Sequence, residues 1–252
     1  MIRVELPIIL DNLVSCGNLQ KCTYWVILGN ILQNDKILFW KIIASTVERE
    51  ALPKGIYTQR NTIASPRMPP EVALLLPGQH CGPNRLELSK IPTNCAVGDF
   101  FANPVLNIHK LIQVLKSNNI TWVTNLPSLS QHDTEFRHNL AEVGIGYEME
   151  INALSQIKRA GIKIIAAAGT PADADLAKDL DLDALLVIPP VDAFETGFPS
   201  TFKRAAQIKI IRNTGISSEI ALLGLVTQAE NALVSTWPKG LDGAVMRPQP
   251  LT

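Results

Sequence analysis

The sequence predicts an α/β barrel of eight parallel strands, the TIM (β/α)8 architecture, on three observations. The chain has 252 residues, about the length of one such barrel. From about residue 92 onward, short apolar runs alternate with helical segments, as expected of consecutive βαβ units. The chain is 46% hydrophobic and 18% charged, which is typical of a protein that buries a core. We therefore predict one domain over residues 1–252, with an irregular N-terminal third.

The elements are clearest after residue 92. Six strands are predicted at residues 93–98, 120–124, 162–168, 184–188, 220–223 and 243–246. Helices are predicted at residues 108–116 and 202–211, although the β-branched end of the second leaves a strand open there. After the third strand, Thr170 can cap a helix, Pro171 fits its first position and Asp173 completes a capping-box pattern. Thr227 and Glu230 form a second such pattern.

The first third must supply about two more strands if the barrel closes. Candidate strands are residues 26–28, 38–43, 54–57 and 72–76. Residues 61–83 include five prolines and predict a long loop.

The charge balance and the N-terminus narrow the function class. Lys+Arg and Asp+Glu are equal at 23 each, so no positive excess favours nucleic acid. The N-terminus lacks the charge pattern and the long apolar run of a secretory signal. The most apolar stretch, residues 24–40, is interrupted by polar residues that a membrane helix would exclude. We expect a cytoplasmic protein that acts on a small molecule, with neither a nucleic-acid nor a membrane partner.

Four cysteines without a C-x-x-C pair predict free thiols, not disulfides or a zinc site.

Candidate site residues lie at the carboxyl ends of the strands, where α/β barrels place their reacting groups. The segment 125–150 is a long connection, and long connections are often functional. Within it, Arg137 can bind a carboxylate or phosphate, and His132 beside Asp133, or Glu150, can act as acid or base. Alternatively, Asp133 and Arg137 pair on a helix surface and His132 is an ordinary loop residue. Further candidates are Asp99, Asn103, Asn125, Asn139, Thr170 and Arg247.

Two pieces of this part of the chain, NLPS at residues 125–128 and DTEFRHNLAEVGIGYEMEI at residues 133–151, carry a specific set of residues. The set is Asn125, Pro127, Phe136, Arg137, Asn139, Leu140, Glu142, Gly144, Gly146, Tyr147 and Glu150. In this set the segment resembles the characteristic stretch of the phosphoenolpyruvate-hydrolase-like TIM-barrel family. The resemblance extends over about residues 93–252 and is faint before them.

This resemblance implies a TIM barrel, often a homo-oligomer, that acts on phosphonopyruvate, phosphoenolpyruvate or a related 2-oxo acid. It implies either no cofactor or Mg²⁺. Relatives include a domain of a plant antiviral resistance protein, which implies binding roles as well. In two places the chain departs from the family. Pro189-Pro190 replaces a polar, glycine-rich loop suited to phosphate, and Gly224-Leu225-Val226 replaces His-Gly-Gly. The departures predict a diverged member with a more apolar pocket.

We therefore predict a lyase or hydrolase that cleaves a bond next to a carbonyl in a small carboxylated substrate. Arg137 would hold the carboxylate, and Asn125 and Asn103 would orient the carbonyl. The group that moves the proton would be one of Asp99, His132 and Glu150. One alternative is a barrel without catalysis that serves binding or assembly. Another is a repurposed biosynthetic enzyme, a cyclase or isomerase, for a bulkier apolar substrate.

Overall fold

Eight parallel strands close into a barrel in sequential order. The computed structural model describes residues 38–43, 55–58, 69–73, 75, 88–231 and 233–247. The strands are β1 (Leu38–Ile43), β2 (Gly55–Tyr57), β3 (Ala96–Gly98), β4 (Trp122–Thr124), β5 (Lys163–Ala168), β6 (Ala184–Val187), β7 (Ala221–Val226) and β8 (Gly243–Met246). Two strands from the first third thus join the six later ones, and the barrel prediction is confirmed.

The closure joins β1 to β8, with Trp40 opposite Val245 and Leu38 opposite Gly243. Because every pairing is parallel, the carboxyl ends of all eight strands share one face of the barrel. Catalytic groups of this architecture come from that face.

Helices follow most of the strands. They are α1 (Pro70–Ala73), α2 (Ile108–Ser117), α3 (Thr134–Glu142), α4 (Tyr147–Arg159), α5 (Pro171–Ala177), α6 (Thr201–Arg212) and α7 (Gln228–Asn231). Within the described residues, short 3-10 segments lie at Leu88–Lys90, Leu129–Gln131, Val191–Phe194 and Val234–Thr236. The helix predicted at 202–211 is confirmed, and so are both capping boxes. None of the helices in these described segments is long and apolar enough to cross a membrane.

One predicted strand is wrong. Residues 72 and 73 belong to α1, because Pro70 suits the first helical position and Glu71 suits the first turn. The apolar run after Glu71 cannot by itself distinguish a strand from a helix. This helix also interrupts the long loop predicted over 61–83. The predicted strand at 26–28 lies outside the described residues, and the single domain over 1–252 stays a prediction.

Alternate side chains of the strands build two apolar layers. On β6, Leu186 belongs to the cluster inside the barrel, whereas Leu185 belongs to the cluster between the strands and the helices. Inside, Trp40 and Trp122 meet edge to face with ring centroids 5.3 Å apart. The inner cluster therefore fills the barrel with apolar side chains, so a polar site is expected at the ends of the strands.

Candidate active site

A buried polar cluster lies at the carboxyl ends of β4 and β5. Asn125, the first residue after β4, is fully buried and bonds the backbone of Ala167 on β5. Its Oδ1 accepts from the Ala167 N–H at 2.7 Å, and its Nδ2 lies 3.4 Å from the Ala167 carbonyl oxygen. The Asn125 side chain thus continues the pairing of the two strands beyond the end of β4.

The centre of this cluster is the carboxyl group of Glu150 on α4. Its Oε2 accepts from Asn125 Nδ2 at 2.5 Å and from Ser128 Oγ at 2.6 Å. Its Oε1 accepts from the Leu129 N–H at 2.7 Å. All three donors belong to the segment that follows β4, and Glu150 has no exposed surface. The carboxyl group therefore fastens this segment to α4.

The environment of Glu150 changes its acidity. Burial raises the pKa of Glu150 from its ordinary 4.5 to about 7, against the opposing effect of the three hydrogen-bond donors. The negative charge of Asp173 adds to this rise in pKa. A carboxyl group with a pKa near neutrality can both give and take a proton at physiological pH.

Two glycines let the post-β4 segment lie directly on the strand ends. A Cβ at Gly169 would stand 2.1 Å from the carbonyl oxygen of Ser130. A Cβ at Gly98 would stand 2.5 Å from the carbonyl oxygen of Leu126. Both neighbours are backbone atoms, so any larger residue would push the segment off the barrel. Glycine at these positions brings the donors within reach of Glu150.

Arg137 lies on α3 and is paired across the site. Its Nη2 donates to Oδ1 of Asp173, which is 1% exposed. Asp133, by contrast, caps α3 by accepting from the Phe136 N–H at 2.8 Å. The alternative of an Asp133–Arg137 surface pair is therefore wrong, because each side chain has a different partner. The Arg137 side chain remains 23% exposed.

Tyr147 lies one turn before Glu150 on α4 and completes this cluster. Its hydroxyl donates to the Ala167 carbonyl oxygen at 2.8 Å. Burial raises the pKa of Tyr147 well above its usual range, and the charges of Glu150 and Asp173 raise it further. Tyr147 therefore stays protonated and acts as a hydrogen-bond donor.

A second polar cluster lies at the ends of β7 and β8. Arg247 forms a two-pronged pair with Glu71 on α1, at 2.6 Å from Nε to Oε1 and 2.9 Å from Nη2 to Oε2. Its guanidinium carbon lies 4.0 Å from the centroid of the Phe198 ring, and that of Arg204 lies 4.7 Å from the same centroid. Arg204 in turn binds Glu230 at 2.5 Å. Phe198 thus contacts two arginines that each have a carboxylate partner.

The other predicted site residues have contacts of their own with neighbours other than Glu150. Asp99 accepts from the N–H of Phe100, and Asn103 accepts from the N–H of Val105 within a turn. The His132 ring contacts the Phe136 ring at a tilt of 40°, with the ring centroids 4.7 Å apart, and burial lowers the pKa of His132. Asn139 is exposed on α3. Thr170 belongs to the Arg137 side of the site, because it donates to Asp173. The structure therefore joins Asn125 to Glu150 directly, and it joins Arg137 to Thr170 through Asp173.

The sequence reasoning missed Arg204 and Glu71 as residues of the carboxyl-end face. A signal for Arg204 exists, since it precedes Ile208 and Ile211 by four and seven residues on the buried side of α6. No comparable signal identifies Glu71, whose partner Arg247 is 176 residues away. Asp173 was recognised as a cap, but not as the partner of Arg137.

No three His, Cys, Asp or Glu side chains converge on one point within the described segments. The carboxylates of Glu71, Asp173 and Glu230 all have an arginine partner, and Glu150 accepts three hydrogen bonds. Mg²⁺ is commonly held by one or two carboxylates together with several waters, and the four carboxyl groups named here already have partners in the protein. The expectation of either no cofactor or Mg²⁺ stays a prediction. We therefore assign no step to a metal.

We expect Glu150 to make stability depend on pH. The unfolded carboxyl group ionises near pH 4.5, whereas the folded one keeps its proton up to about pH 7. The contribution is therefore fully present below pH 4.5 and is lost as the pH rises through 7. This pKa difference amounts to about 3 kcal/mol in the free energy of unfolding. The measurement is urea unfolding between about pH 4 and 8, on the wild type and on Glu150→Gln. A wild-type-minus-variant difference that is flat with pH would contradict the prediction.

Comparison with known proteins supports the fold. No protein-family model matches the chain, and no curated protein sequence matches it. A ligand-free tryptophan synthase structure from M. tuberculosis is similar over 88% of this chain and 87% of that one, with 10% identity and a TM-score of 0.51. A native KDPGal structure is similar over 84% of this chain and 83% of that one, with 13% identity and a TM-score of 0.43. Thiamine phosphate pyrophosphorylase from Pyrococcus furiosus is similar over 86% of this chain and 87% of that one, with 13% identity and a TM-score of 0.38. At these identities only the fold is comparable, and with the first of these neighbours this chain shares the α/β barrel.

Proposed function

We propose that this protein is a TIM-barrel enzyme of the lyase or hydrolase type that acts next to a carbonyl in a small carboxylated substrate. The observation that supports the proposal is the carboxyl group of Glu150, whose pKa is about 7, at the carboxyl ends of β4 and β5. Perturbed acids at this face of a barrel are typical of catalytic groups. The resemblance of residues 125–151 to the phosphoenolpyruvate-hydrolase-like family points to a 2-oxo acid or a phosphonopyruvate-like substrate.

In this proposal Glu150 moves the proton. Asn125 and Ser128 hold its Oε2, and Asn125 therefore serves the carboxyl group instead of the substrate carbonyl. Arg137, whose side chain is 23% exposed beside Asp173, binds the substrate carboxylate. Asp99, Asn103, Asn139, His132, Thr170 and Arg247 remain predicted site residues of this face.

Access to Glu150 requires movement of the segment after β4. Three hydrogen-bond donors from this segment cover the Glu150 carboxyl group, which has no exposed surface. A substrate must therefore displace residues 126–131 and replace at least one of these hydrogen bonds. Loops that close over a barrel mouth commonly move on substrate binding.

The experiment is a thermal-shift screen with 2-oxo acids, phosphonates and Mg²⁺, followed by turnover assays of the hits. A ligand present at 100 times its Kd stabilises the folded state by about 2.7 kcal/mol. We expect this stabilisation in the wild type and its loss in Arg137→Gln, because the substrate carboxylate loses its cation. Arg159→Gln, which removes an exposed arginine of α4, is the matched control and should keep the response. Absence of both stabilisation and turnover with every compound would contradict the proposal.

One observation favours a second candidate function, a barrel that binds a partner without catalysis. Seven predicted site residues form hydrogen bonds with groups of the protein itself: Asp99, Asn103, Asn125, Arg137, Glu150, Thr170 and Arg247. Hydrogen bonds of this kind also form when buried polar side chains have only a structural role. Turnover of any 2-oxo acid would exclude this candidate.

A further inference from the structure

Leu126 lies in the mouth of the barrel. It is fully buried and belongs to the inner apolar cluster, although it lies beyond the end of β4. Its carbonyl oxygen accepts a hydrogen bond from Thr58 Oγ1 at 2.8 Å, and Thr58 itself has no exposed surface. The segment that covers Glu150 therefore also fills the carboxyl end of the barrel interior.

Gly98 at the end of β3 makes room for Leu126. Ala96 belongs to the inner cluster and Val97 to the outer one, so alternation places Gly98 on the inner side of β3. A Cβ at Gly98 would stand 2.5 Å from the Leu126 carbonyl oxygen and 3.1 Å from Thr58 Cβ. The space that glycine leaves is thus occupied by a backbone carbonyl group, beside a threonine hydroxyl.

Thr124, the last residue of β4, lies next to this space. It is in register with Gly98 on one side and with Ile165 of β5 on the other. Trp122 packs against the inner cluster and Val123 belongs to the outer one, so alternation directs the Thr124 side chain inward. Its hydroxyl therefore belongs to the same end of the barrel interior as Gly98.

The Thr124 hydroxyl is buried without a hydrogen-bond partner. Thr124 has no exposed surface, and its Oγ1 bonds to no group in the part of the chain that the structure describes. Buried polar groups in native proteins nearly always have a partner, so an unpaired one requires an explanation. An oxygen atom of a ligand in the barrel mouth would supply the partner.

We propose that the space now held by the Leu126 carbonyl group is a binding site for the carbonyl oxygen of the substrate, with Thr58 and Thr124 as its hydrogen-bond donors. We call this space the carbonyl site. The assignment rests on the proposed function, whose substrate contains a carbonyl group next to a carboxylate. The Leu126 oxygen is itself a carbonyl oxygen, so the bond from Thr58 shows that the site accepts a group of this kind.

Movement of residues 126–131 opens the carbonyl site and uncovers Glu150 together. Without this segment, the Thr58 hydroxyl loses its acceptor and Glu150 loses the bonds from Ser128 and the Leu129 N–H. The substrate carbonyl then replaces the Leu126 oxygen as the acceptor of the Thr58 hydrogen bond. The two threonines thereby take the orienting role that was predicted for Asn125, whose side chain holds Glu150 instead.

The first test compares two threonine-to-valine variants by melting temperature without any ligand. Thr58→Val leaves the Leu126 carbonyl oxygen without this donor and should melt below the wild type. Thr124→Val keeps the shape and loses no hydrogen bond, so it should melt at or above the wild-type temperature. A fall for Thr124→Val as large as that for Thr58→Val would overturn the proposal, because the hydroxyl would then have a partner in the folded protein.

The second test measures the affinity of the 252-residue chain for pyruvate by isothermal titration calorimetry. Thr124→Val should bind pyruvate about fivefold more weakly, because a hydrogen bond to the keto oxygen is lost. Leu126→Ala weakens the packing that closes the site, so it should bind pyruvate at least about threefold more tightly. Thr121→Val is the matched control, since the Thr121 hydroxyl bonds the Thr93 carbonyl oxygen at 2.7 Å, and its affinity should stay within about twofold.

The two variants with opposite expected effects on affinity make the second test decisive. Unchanged pyruvate affinity in Thr124→Val would overturn the carbonyl site, and so would absence of pyruvate binding in both the wild type and Leu126→Ala. Thr124→Val decides the matter by itself if Leu126→Ala folds poorly. If pyruvate binds as expected but no 2-oxo acid is turned over, the proposed function fails and the carbonyl site stands. If a 2-oxo acid is turned over while Thr124→Val binds pyruvate like the wild type, the proposed function stands and the carbonyl site fails.

Discussion

Glu150→Gln is expected to reduce turnover of the substrate by about 10²- to 10⁴-fold, the range typical of a lost general acid or base. Glutamine has nearly the same shape, but it can neither give nor take the proton. Burial raises the pKa of Glu150 to about 7, so this substitution removes the group that we propose to move the proton. The measurement is kcat/KM with whichever 2-oxo acid or phosphonate stabilises the wild type.

The control for this loss is Glu148→Gln on the same helix. Glu148 is exposed, so the same chemical change there should leave kcat/KM within about twofold. In Glu150→Gln, the amide nitrogen of the glutamine faces hydrogen-bond donors where a carboxyl oxygen of Glu150 accepted from them. Circular dichroism must therefore show that this variant still folds. A folded Glu150→Gln variant with turnover near that of the wild type would remove Glu150 from the mechanism.

Arg204→Met is expected to lower the free energy of unfolding by about 3–5 kcal/mol. Arg204 is 4% exposed and binds the carbonyl oxygens of Pro199 at 2.9 Å and of Leu225 at 2.6 Å. It also holds the Glu230 carboxylate at 2.5 Å. Burial opposes ionisation of Glu230, but the hydrogen bonds from Arg204, Thr201 and the Thr227 N–H lower its pKa. Methionine fills similar space, but it removes the Arg204 donor from the carbonyl oxygens of Pro199 and Leu225 and the counter-charge from Glu230.

The matched control is Arg212→Met, two turns further along α6. Arg212 pairs with Asp242 at 2.5 Å, but the two side chains are 30% and 47% exposed. Exposed pairs contribute about 0–1 kcal/mol, so we expect a loss within that range. Urea unfolding at one pH measures both variants. Equal losses in the two variants would show that burial of Arg204 does not decide the stability of this rim.

The barrel could be predicted because its signals are local. The strands at 38–43 and 243–246 were predicted with the bounds that the structure has, since each is a short apolar run between polar residues. The capping box of Thr170 and Asp173 needs only residues three apart. The strand predicted at 72–76 was wrong because its apolar run has no periodicity that distinguishes a strand from a helix. Pro70 and Glu71, which favour the start of a helix, predict this part of the structure correctly.

The site could be predicted only as a set of residue types. The sequence placed Asn125, Arg137 and Glu150 at one face of a barrel, because carboxyl ends of parallel strands converge. It also contains the spacing by which Glu150 shares the buried side of α4 with Leu154 and Ile157. It gave no means to choose the partner of Arg137, since Asp133 lies four residues away and Asp173 lies 36 residues away.

By itself, then, the sequence determined the barrel, its helix caps and the acidic, amide and basic side chains that face its carboxyl end. Only the tertiary structure decided that Arg137 pairs with Asp173, that Arg247 pairs with Glu71 and that Glu150 is sealed by the segment after β4. The physical reason is the range of each interaction. Caps and periodicity act within a few residues, whereas burial and ion pairing depend on which distant segments the closed barrel brings together.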